Sequence, residues 1–393
     1  MKFNTIDDLE VRGKRVLLRE DLNVPMQDGR ITDYTRIDAA LATIRALMKG
    51  GARVVIVSHL GRPEGKVDPK YSLRPVAAAL ADHLDAPVAF ADDCVGPVAQ
   101  AAVARLHDGE ALLLENVRFH PGEEQNDPQF AAQLAALADV YVNDAFGTAH
   151  RAHASTEGVA HLLPNAAGLL MEAELFALAR LTTDPAHPYV CVIGGAKIKD
   201  KVGVFTNLMD KVDAFCVGGG MANTFLAARG TNVGRSLRDD LGPAKQILER
   251  LAHHDTTLYL PVDAVVSSSF DADGDARVVN IEDVGDNMIL DIGPRTAQAY
   301  ADVIVRAREI VFNGPMGVYE RAVYQNGTRV VGQAIARATQ SGATSVVGGG
   351  DAAAAAHLLG FADQMTHVST GGGATLEFLE GRTLPGVAAL EHG

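Results

Sequence analysis

The sequence predicts an α/β protein made of two doubly wound, parallel-sheet (Rossmann-like) domains joined by a hinge helix. Three observations predict it. Short apolar runs rich in β-branched residues recur along the chain and stop at Gly or a polar cluster, as strands buried on both faces do. Ala/Leu-rich stretches separate them, which is the alternation of a parallel sheet with its crossover helices. The chain has 393 residues, and at about 150 residues per domain that length suits two domains.

The strand-like runs are 15–19 (RVLLR), 53–58 (RVVIVS), 111–115 (ALLLE), 140–143, 189–193 (YVCVI), 214–217 (AFCV), 257–260, 309–312, 345–347 and 366–369. Helices are expected at 36–49, 73–83, 129–138, 223–228, 243–253 and 296–308. So many strands overfill one comfortable sheet, so the chain divides near 165–185. There Pro164-Asn165 starts a helix that runs through Leu169, Leu170, Leu175 and Leu178 to Leu181, with Pro185 and Pro188 beyond it. The predicted parts are a first domain at 1–168, an interdomain helix at 169–182 and a second domain at 183–379.

Lys plus Arg number 35 against 49 Asp plus Glu, a net charge of −14, which argues against a nucleic-acid or anionic-membrane binder. Cys94, Cys191 and Cys216 form no CxxC pair and read as buried small hydrophobes in a reducing compartment. Acids follow the first residues where a signal peptide has its apolar core, and no charge-free run reaches the ~18 residues of a membrane span. The expectation is a cytoplasmic protein.

Ligands of open parallel sheets sit beyond the carboxyl ends of the strands, so the residues just after each run are the informative ones. In the first half these tips carry Asp21, Asn23, His59, Arg62, Arg118 and Arg151, and Arg36 opens the first helix. One Arg alone reads as a solvated surface residue. Four at separate tips, with His59, suit a small and highly charged anion, because guanidinium matches phosphate and carboxylate geometry. Asp21 and Asn23 lie two apart on extended chain and face the same way, fit to hold a hydroxyl. In the second half the tips are glycine, with triplets at 218–220, 348–350 and 371–373 and Asn-Gly-Pro-Met-Gly at 313–317. Glycine allows close backbone approach and a following helix offers unpaired N–H groups, which suits a nucleotide phosphate chain.

No Gly-Lys-Ser/Thr and no HExxH occur. Residues 348–353 match GxGxxA, but the next strand tip lacks the acid that would hold an adenosine ribose, which weakens a dinucleotide reading. The residues alone therefore point to phosphoryl transfer between a nucleotide and a small acid. A nicotinamide dehydrogenase and a non-catalytic anion binder are the rival classes.

The motifs RxDxNVP (19–25), SHLGRP (58–63), LLENVRF (113–119), DAFGTAHRAHAS (144–155), GGAKxxDK (194–201), FNGPMGVYE (312–320), GGGDA (348–352) and STGGGATLEFLEG (369–381) resemble the phosphoglycerate kinase family. The resemblance spans the whole chain. It implies a hinged two-domain enzyme, a monomer, that moves a phosphoryl group between 1,3-bisphosphoglycerate and ADP, giving 3-phosphoglycerate and ATP with Mg2+. It implies a glycerate site at Asp21, Asn23, Arg36, His59, Arg62, Arg118 and Arg151. It implies a nucleotide site at Lys197, Lys201, Gly219, Asn313, Val318, Glu320, Gly349, Gly350, Asp351 and Ala352, with Asp351 toward the metal. Arg36, Lys201, Gly371 and Gly372 are the groups it places near the transferred phosphoryl, and it returns residues 380–393 to the first domain. Two positions depart from the pattern: Phe312 replaces a frequent Trp as an apolar wall, and Ala352 replaces a common Thr or Ser.

Overall fold

A computed structural model describes residues 2–391. The chain forms two compact units, Met1–Phe176 with Thr383–Gly393, and Ala177–Arg382. The helix Leu169–Thr183 crosses that division.

The first unit is built on a six-stranded sheet. From edge to edge it runs Val88–Ala91, Ala111–Leu114, Arg53–Val57, Arg15–Arg19, Val140–Asn143, Asn165–Ala167, every pair parallel. Its central strands are apolar on both faces because helices cover both. Leu17, Leu18, Val55, Ile56, Leu112, Leu113, Tyr141 and Val142 are wholly buried. The chain first moves outward from Arg15–Arg19 on one side and later returns to its other side with Val140–Asn143. That topological switch opens a crevice at the carboxyl ends.

The second unit has a six-stranded parallel sheet in the order Thr257–Tyr259, Ala214–Val217, Tyr189–Ile193, Glu309–Asn313, Thr344–Val347, His367–Val368. In chain order this is 3-2-1-4-5-6, the doubly wound arrangement whose switch lies between Tyr189–Ile193 and Glu309–Asn313. A three-stranded antiparallel sheet, Arg277–Asn280, Asp263–Ser267, Met288–Ile292, is added to it.

Two sequence expectations need correction. The helix expected from Pro164 begins at Leu169, and Asn165–Ala167 is instead an edge strand paired with Val140–Asn143. The Tyr141 N–H donates to the Pro164 carbonyl, and Ala166 and Ala167 are wholly buried, so the sheet ladder overrides the helical preference of alanine. The expectation for Phe312 also fails. It lies wholly buried in the core, edge-on to Phe361 at 5.9 Å, and lines neither hollow at the switch point.

Three helices start against a buried aspartate from a distant strand or strand end. Asp144 accepts from the Met171 N–H at 2.9 Å. Asp263 accepts from the N–H groups of Arg295 and Thr296 at 3.0 and 2.9 Å, and Asp291 from Gly327 at 2.7 Å. A side chain at Gly168, Gly293 or Gly327 would run into the Asp144, Asp263 or Asp291 carboxylate, so each cap is received against a glycine. Asp263→Ala leaves the first turn of Pro294–Ile304 without its acceptor inside the protein, and a loss of about 1–3 kcal/mol is expected. A lower Tm in calorimetry checks it, and an unchanged Tm rules the cap out as a stabilising contact.

Candidate active site

In the first unit the strand tips bring most of the predicted cations together over a buried platform. Arg19 ends its strand wholly buried. Its Nε donates to the Ser155 hydroxyl at 2.8 Å, and its other nitrogens reach the Glu20 carbonyl and His59 Nδ1. Ser155 in turn donates to Glu123 Oε1 at 2.6 Å, so a wholly buried carboxylate balances the buried guanidinium. Because Arg19 can only donate, His59 Nδ1 accepts and its Nε2 carries the proton. Burial, reinforced by Arg19, Arg118 and Arg36, holds His59 well below the usual histidine range. His59 is thus a neutral donor amid cations.

Asp21 pairs with Arg36, which stands in the first turn of Thr35–Lys49. Burial pushes the Asp21 carboxyl up, but Arg36 and its cationic neighbours prevail and hold it at about 2. Asn23 accepts from the Gly61 N–H at 2.9 Å, and Arg118 donates to the Gly61 carbonyl at 2.8 Å. These bonds tie two more tips to one turn. Arg151 follows on the same rim, donating to His150 Nε2 at 3.2 Å. Arg62 lies exposed, one residue past Gly61. Asp21, Asn23, Arg36, His59, Arg118 and Arg151 therefore converge. Arg19, Ser155 and Glu123 were missed as site residues, because burial beneath the site leaves no mark in the sequence.

The tips also carry a buried acid pair. Arg19 and Asn143 are register partners, so Glu20 and Asp144 come next on neighbouring strands. Burial, then the Asp144 charge, pushes Glu20 well above the ordinary carboxyl range, and burial moves Asp144 to about 6. Burial of both carboxyls, and their closeness, disfavours a second negative charge at this end of the crevice.

In the second unit a cavity of about 500 Å³ opens at the switch point. It is lined by Lys197, Lys201, Asn313, Gly349, Gly350, Asp351, Ala352 and Gly372 among others. A more apolar hollow of about 590 Å³ shares Gly195, Ala196 and Asp351 with it and takes in Gly219, Val318, Glu320, Leu237, Met288 and Leu290. Lys201 Nζ donates to the Asn313 carbonyl at 2.8 Å and to its side-chain oxygen, and Asn313 Nδ2 donates to the Gly348 carbonyl at 2.6 Å. Burial lowers the Lys201 ammonium to about 8, against the opposing pull of nearby acids.

The glycines divide into two sets. At Gly194 a Cβ would strike the Pro315 carbonyl oxygen; at Gly218 it would stand 2.6 Å from the Met316 Cα and at Gly220 2.5 Å from the Ala196 oxygen. These serve loop packing. Gly350 and Gly372 instead face open space, and Gly349 and Gly372 each precede a helix with positive φ, 102° and 52°. Gly371 is buried, and its N–H donates to the Ser369 hydroxyl at 3.1 Å. Ala352 is 1% exposed, so its methyl packs into the core.

A cationic crevice on one doubly wound unit and a glycine-lined cleft at the switch point of another suit a two-domain α/β phosphotransferase. The profile of the family described as "Phosphoglycerate kinase" matches residues 6–382. The phosphoglycerate kinases of Chloroflexus aurantiacus and Moorella thermoacetica are 55% and 54% identical, over 100% and 98% of this chain and 99% and 98% of theirs. Solved structures of phosphoglycerate kinase from Coxiella burnetii and Pyrococcus horikoshii are similar, with TM-scores of 0.91 and 0.86 at 44% and 37% identity. Each covers 99% of this chain, which covers 99% and 98% of them. The chain belongs to the phosphoglycerate kinase family. It moves a phosphoryl group between 1,3-bisphosphoglycerate and ADP, the reversible glycolytic reaction that gives 3-phosphoglycerate and ATP.

Gly194→Ala is expected to lower the Tm sharply, whereas Gly350→Ala leaves it near the parent value; equal losses in a thermal melt would refute the division. Burial lowers His153 from 6.5 to about 4. Between those values the unfolded chain binds the proton and the folded chain does not. Its contribution is complete above about 6.5 and is lost as pH falls through 4, and His59 acts in the same direction. His153→Gln is therefore expected to flatten the fall of Tm from pH 6.5 to 4, measured by calorimetry in matched buffers.

Proposed function

We propose that the first unit's crevice holds the phosphoglycerate and the second unit's cleft holds the nucleotide. The observation that carries this reading is the contrast between the two sites: side-chain cations converge in one, and open helix starts around Lys201 line the other. In this assignment Arg62, Arg118, Arg151 and neutral His59 bind the substrate's anionic groups, and Asp21 and Asn23 hold its hydroxyl. Val318 and Glu320 border the hollow for adenine and ribose, with Gly219 at its floor. Lys197, Gly349, Gly350 and Ala352 surround the phosphates.

Phosphoryl transfer needs in-line placement and cancellation of charge on the equatorial oxygens more than covalent help. Arg36 supplies one cation. Lys201 supplies the other, and Asn313 fixes its direction before substrate arrives. The backbone N–H of Gly372 completes the cradle, and that of Gly371 holds the loop through Ser369. No general base is required, since the acceptor is a carboxylate. A closing movement about the helix Leu169–Thr183 brings the two substrates together and keeps water out. The two ends of that helix suit a hinge element. Its first turn is bonded to Thr43 and Asp144, and Arg180 near its end pairs with the buried Glu309 at 3.0 Å.

The donor set fits Mg2+. Asp351 is an exposed carboxylate at the start of Gly350–Leu358, and Mg2+ is commonly held by one or two carboxylates with substrate phosphates. The ion supplies charge neutralisation on the phosphates. A monomer in the cytoplasm completes the reading. It is supported by three free buried thiols, and among the described residues no helix is long and apolar enough to cross a membrane. The net charge of −14 fits small-molecule partners rather than nucleic acid or membrane.

The test is acyl-phosphate formation by the purified protein from ATP, magnesium and 3-phosphoglycerate. Arg36→Ala is expected to lower kcat by ~10²–10³-fold with a smaller change in KM. Lys201→Ala is expected to do the same. An unchanged kcat for Arg36→Ala, or a Lys201→Ala variant altered only in nucleotide KM, would remove that residue from the transfer step.

A further inference from the structure

Beyond the transfer machinery, the far edge of the first unit's sheet carries a second cluster of ligating side chains. The strands Val88–Ala91 and Ala111–Leu114 pair in parallel, with Ala91 opposite Leu114. The chain after the first continues to Asp93 and Cys94. The chain after the second passes through the short helical turn Val117–Phe119 to His120. Adjacent strand tips thus bring two loops together. A carboxylate oxygen of Asp93, the Cys94 sulfur and an imidazole nitrogen of His120 lie within 4.8 Å of one another. Among the described residues this is the one group of three such side chains so close.

The ligand atoms are pre-placed. Asp93 Oδ1 accepts from the Cys94 N–H at 2.7 Å and sits 2.7 Å from His120 Nε2. The His120 ring is stacked on Phe130 at 5.2 Å, which fixes its plane. Cys94 is 1% exposed, whereas the Asp93 and His120 side chains are 40% and 33% exposed, so the cluster has a buried sulfur and an entry from solvent. The acids Asp93, Glu123 and Glu115 around the Cys94 sulfur set up a negative field that attracts a divalent ion.

We infer that Asp93, Cys94 and His120 form a binding site for a borderline-soft divalent metal ion of the zinc type, separate from the Mg2+ that accompanies the nucleotide. A sulfur, a nitrogen and an oxygen together suit zinc, and three protein ligands leave a fourth position for water. Zinc-to-ligand bonds of about 2.0–2.3 Å place tetrahedral ligand atoms about 3.3–3.8 Å apart. The Asp93–His120 pair must then open by roughly 0.5–1 Å from its hydrogen-bonded separation. Their partial exposure leaves room for that shift. On binding, the Cys94 proton passes to solvent, the proton that His120 Nε2 donates to Asp93 is exchanged through solvent to Nδ1, and the hydrogen bond between them gives way to two metal bonds.

Cobalt(II) reports the site directly, because only a cobalt-bound thiolate gives a ligand-to-metal charge-transfer absorption. The full-length, pre-reduced protein titrated with Co2+ is expected to develop that absorption with the intense visible bands of a tetrahedral ion, and Zn2+ is expected to abolish both. Cobalt at Asp351 would meet only oxygen and contribute no sulfur band. Cys94→Ser is expected to lose the charge-transfer absorption completely. His120→Asn, at a partly exposed position that tolerates change, is expected to weaken Co2+ binding by more than the ~10–100-fold that loss of an outer-shell partner costs. The inference is overturned if the parent protein gives only the weak spectrum of an octahedral ion. It is equally overturned if the sulfur band survives Cys94→Ser, or if His120→Asn binds Co2+ as tightly as the parent.

Discussion

A buried aspartate facing the amide groups of a distant helix start is the constraint on which the rest of this structure rests. Asp144, Asp263 and Asp291 each leave a strand or strand end and accept from first-turn N–H groups 27 to 36 residues further along the chain. Burial makes such a carboxyl costly, and for Asp291 it raises the group to about 7. Unpaired N–H groups at a helix start are costly too. Bringing the two together satisfies both and fixes where the helix leaves the sheet. The glycines at 168, 293 and 327 follow from the same contact, since a side chain there would occupy the carboxylate's place. With helix starts held this way, the strand tips keep one geometry, and the sites at those tips inherit it.

Each unit then solves the problem of holding an anion differently. The first uses formal charge and must keep its cations from repelling one another. Glu123 beneath Arg19 and Asp21 beside Arg36 do this, and His59 joins the group without adding charge. The second uses backbone dipoles and two lysines. Open glycines at 350 and 372 leave the main chain approachable, and Asn313 ties Lys201 to the neighbouring tips. In the assignment proposed above, the first arrangement recognises a small acid by its charges and the second a phosphate chain by its path along the protein, with Lys201 directed at one point of that path.

Much of this was legible in the sequence, and the exceptions have physical causes. Central strands stood out because both faces are buried and every residue is apolar, as in YVCVI at Tyr189–Ile193. Edge strands did not. Val88–Ala91 is partly exposed, and Asn165–Ala167 is short and alanine-rich, so only pairing with a neighbour makes it a strand. The helix Asn326–Gln340 was hidden by its glycines. Gly327 makes room for Asp291 and Gly332 for the Phe361 ring, needs set by residues far along the chain. The antiparallel sheet from Asp263 to Ile292 was hidden by its mixed polarity, with Arg277–Asn280 largely exposed.

By itself the sequence determined the alternation of strands and helices, the family, and the side chains that stand at the strand tips. Those depend on local periodicity and on residue identity, which the chain carries directly. Folding alone settles which glycines face open space and which face a carbonyl, why the Gly371 N–H turns to Ser369, and that Arg19 and Glu123 lie beneath the cationic crevice. It also decided that Asp93, Cys94 and His120 are neighbours. Burial and close approach are properties of pairs of atoms brought together by folding, and no residue carries them alone.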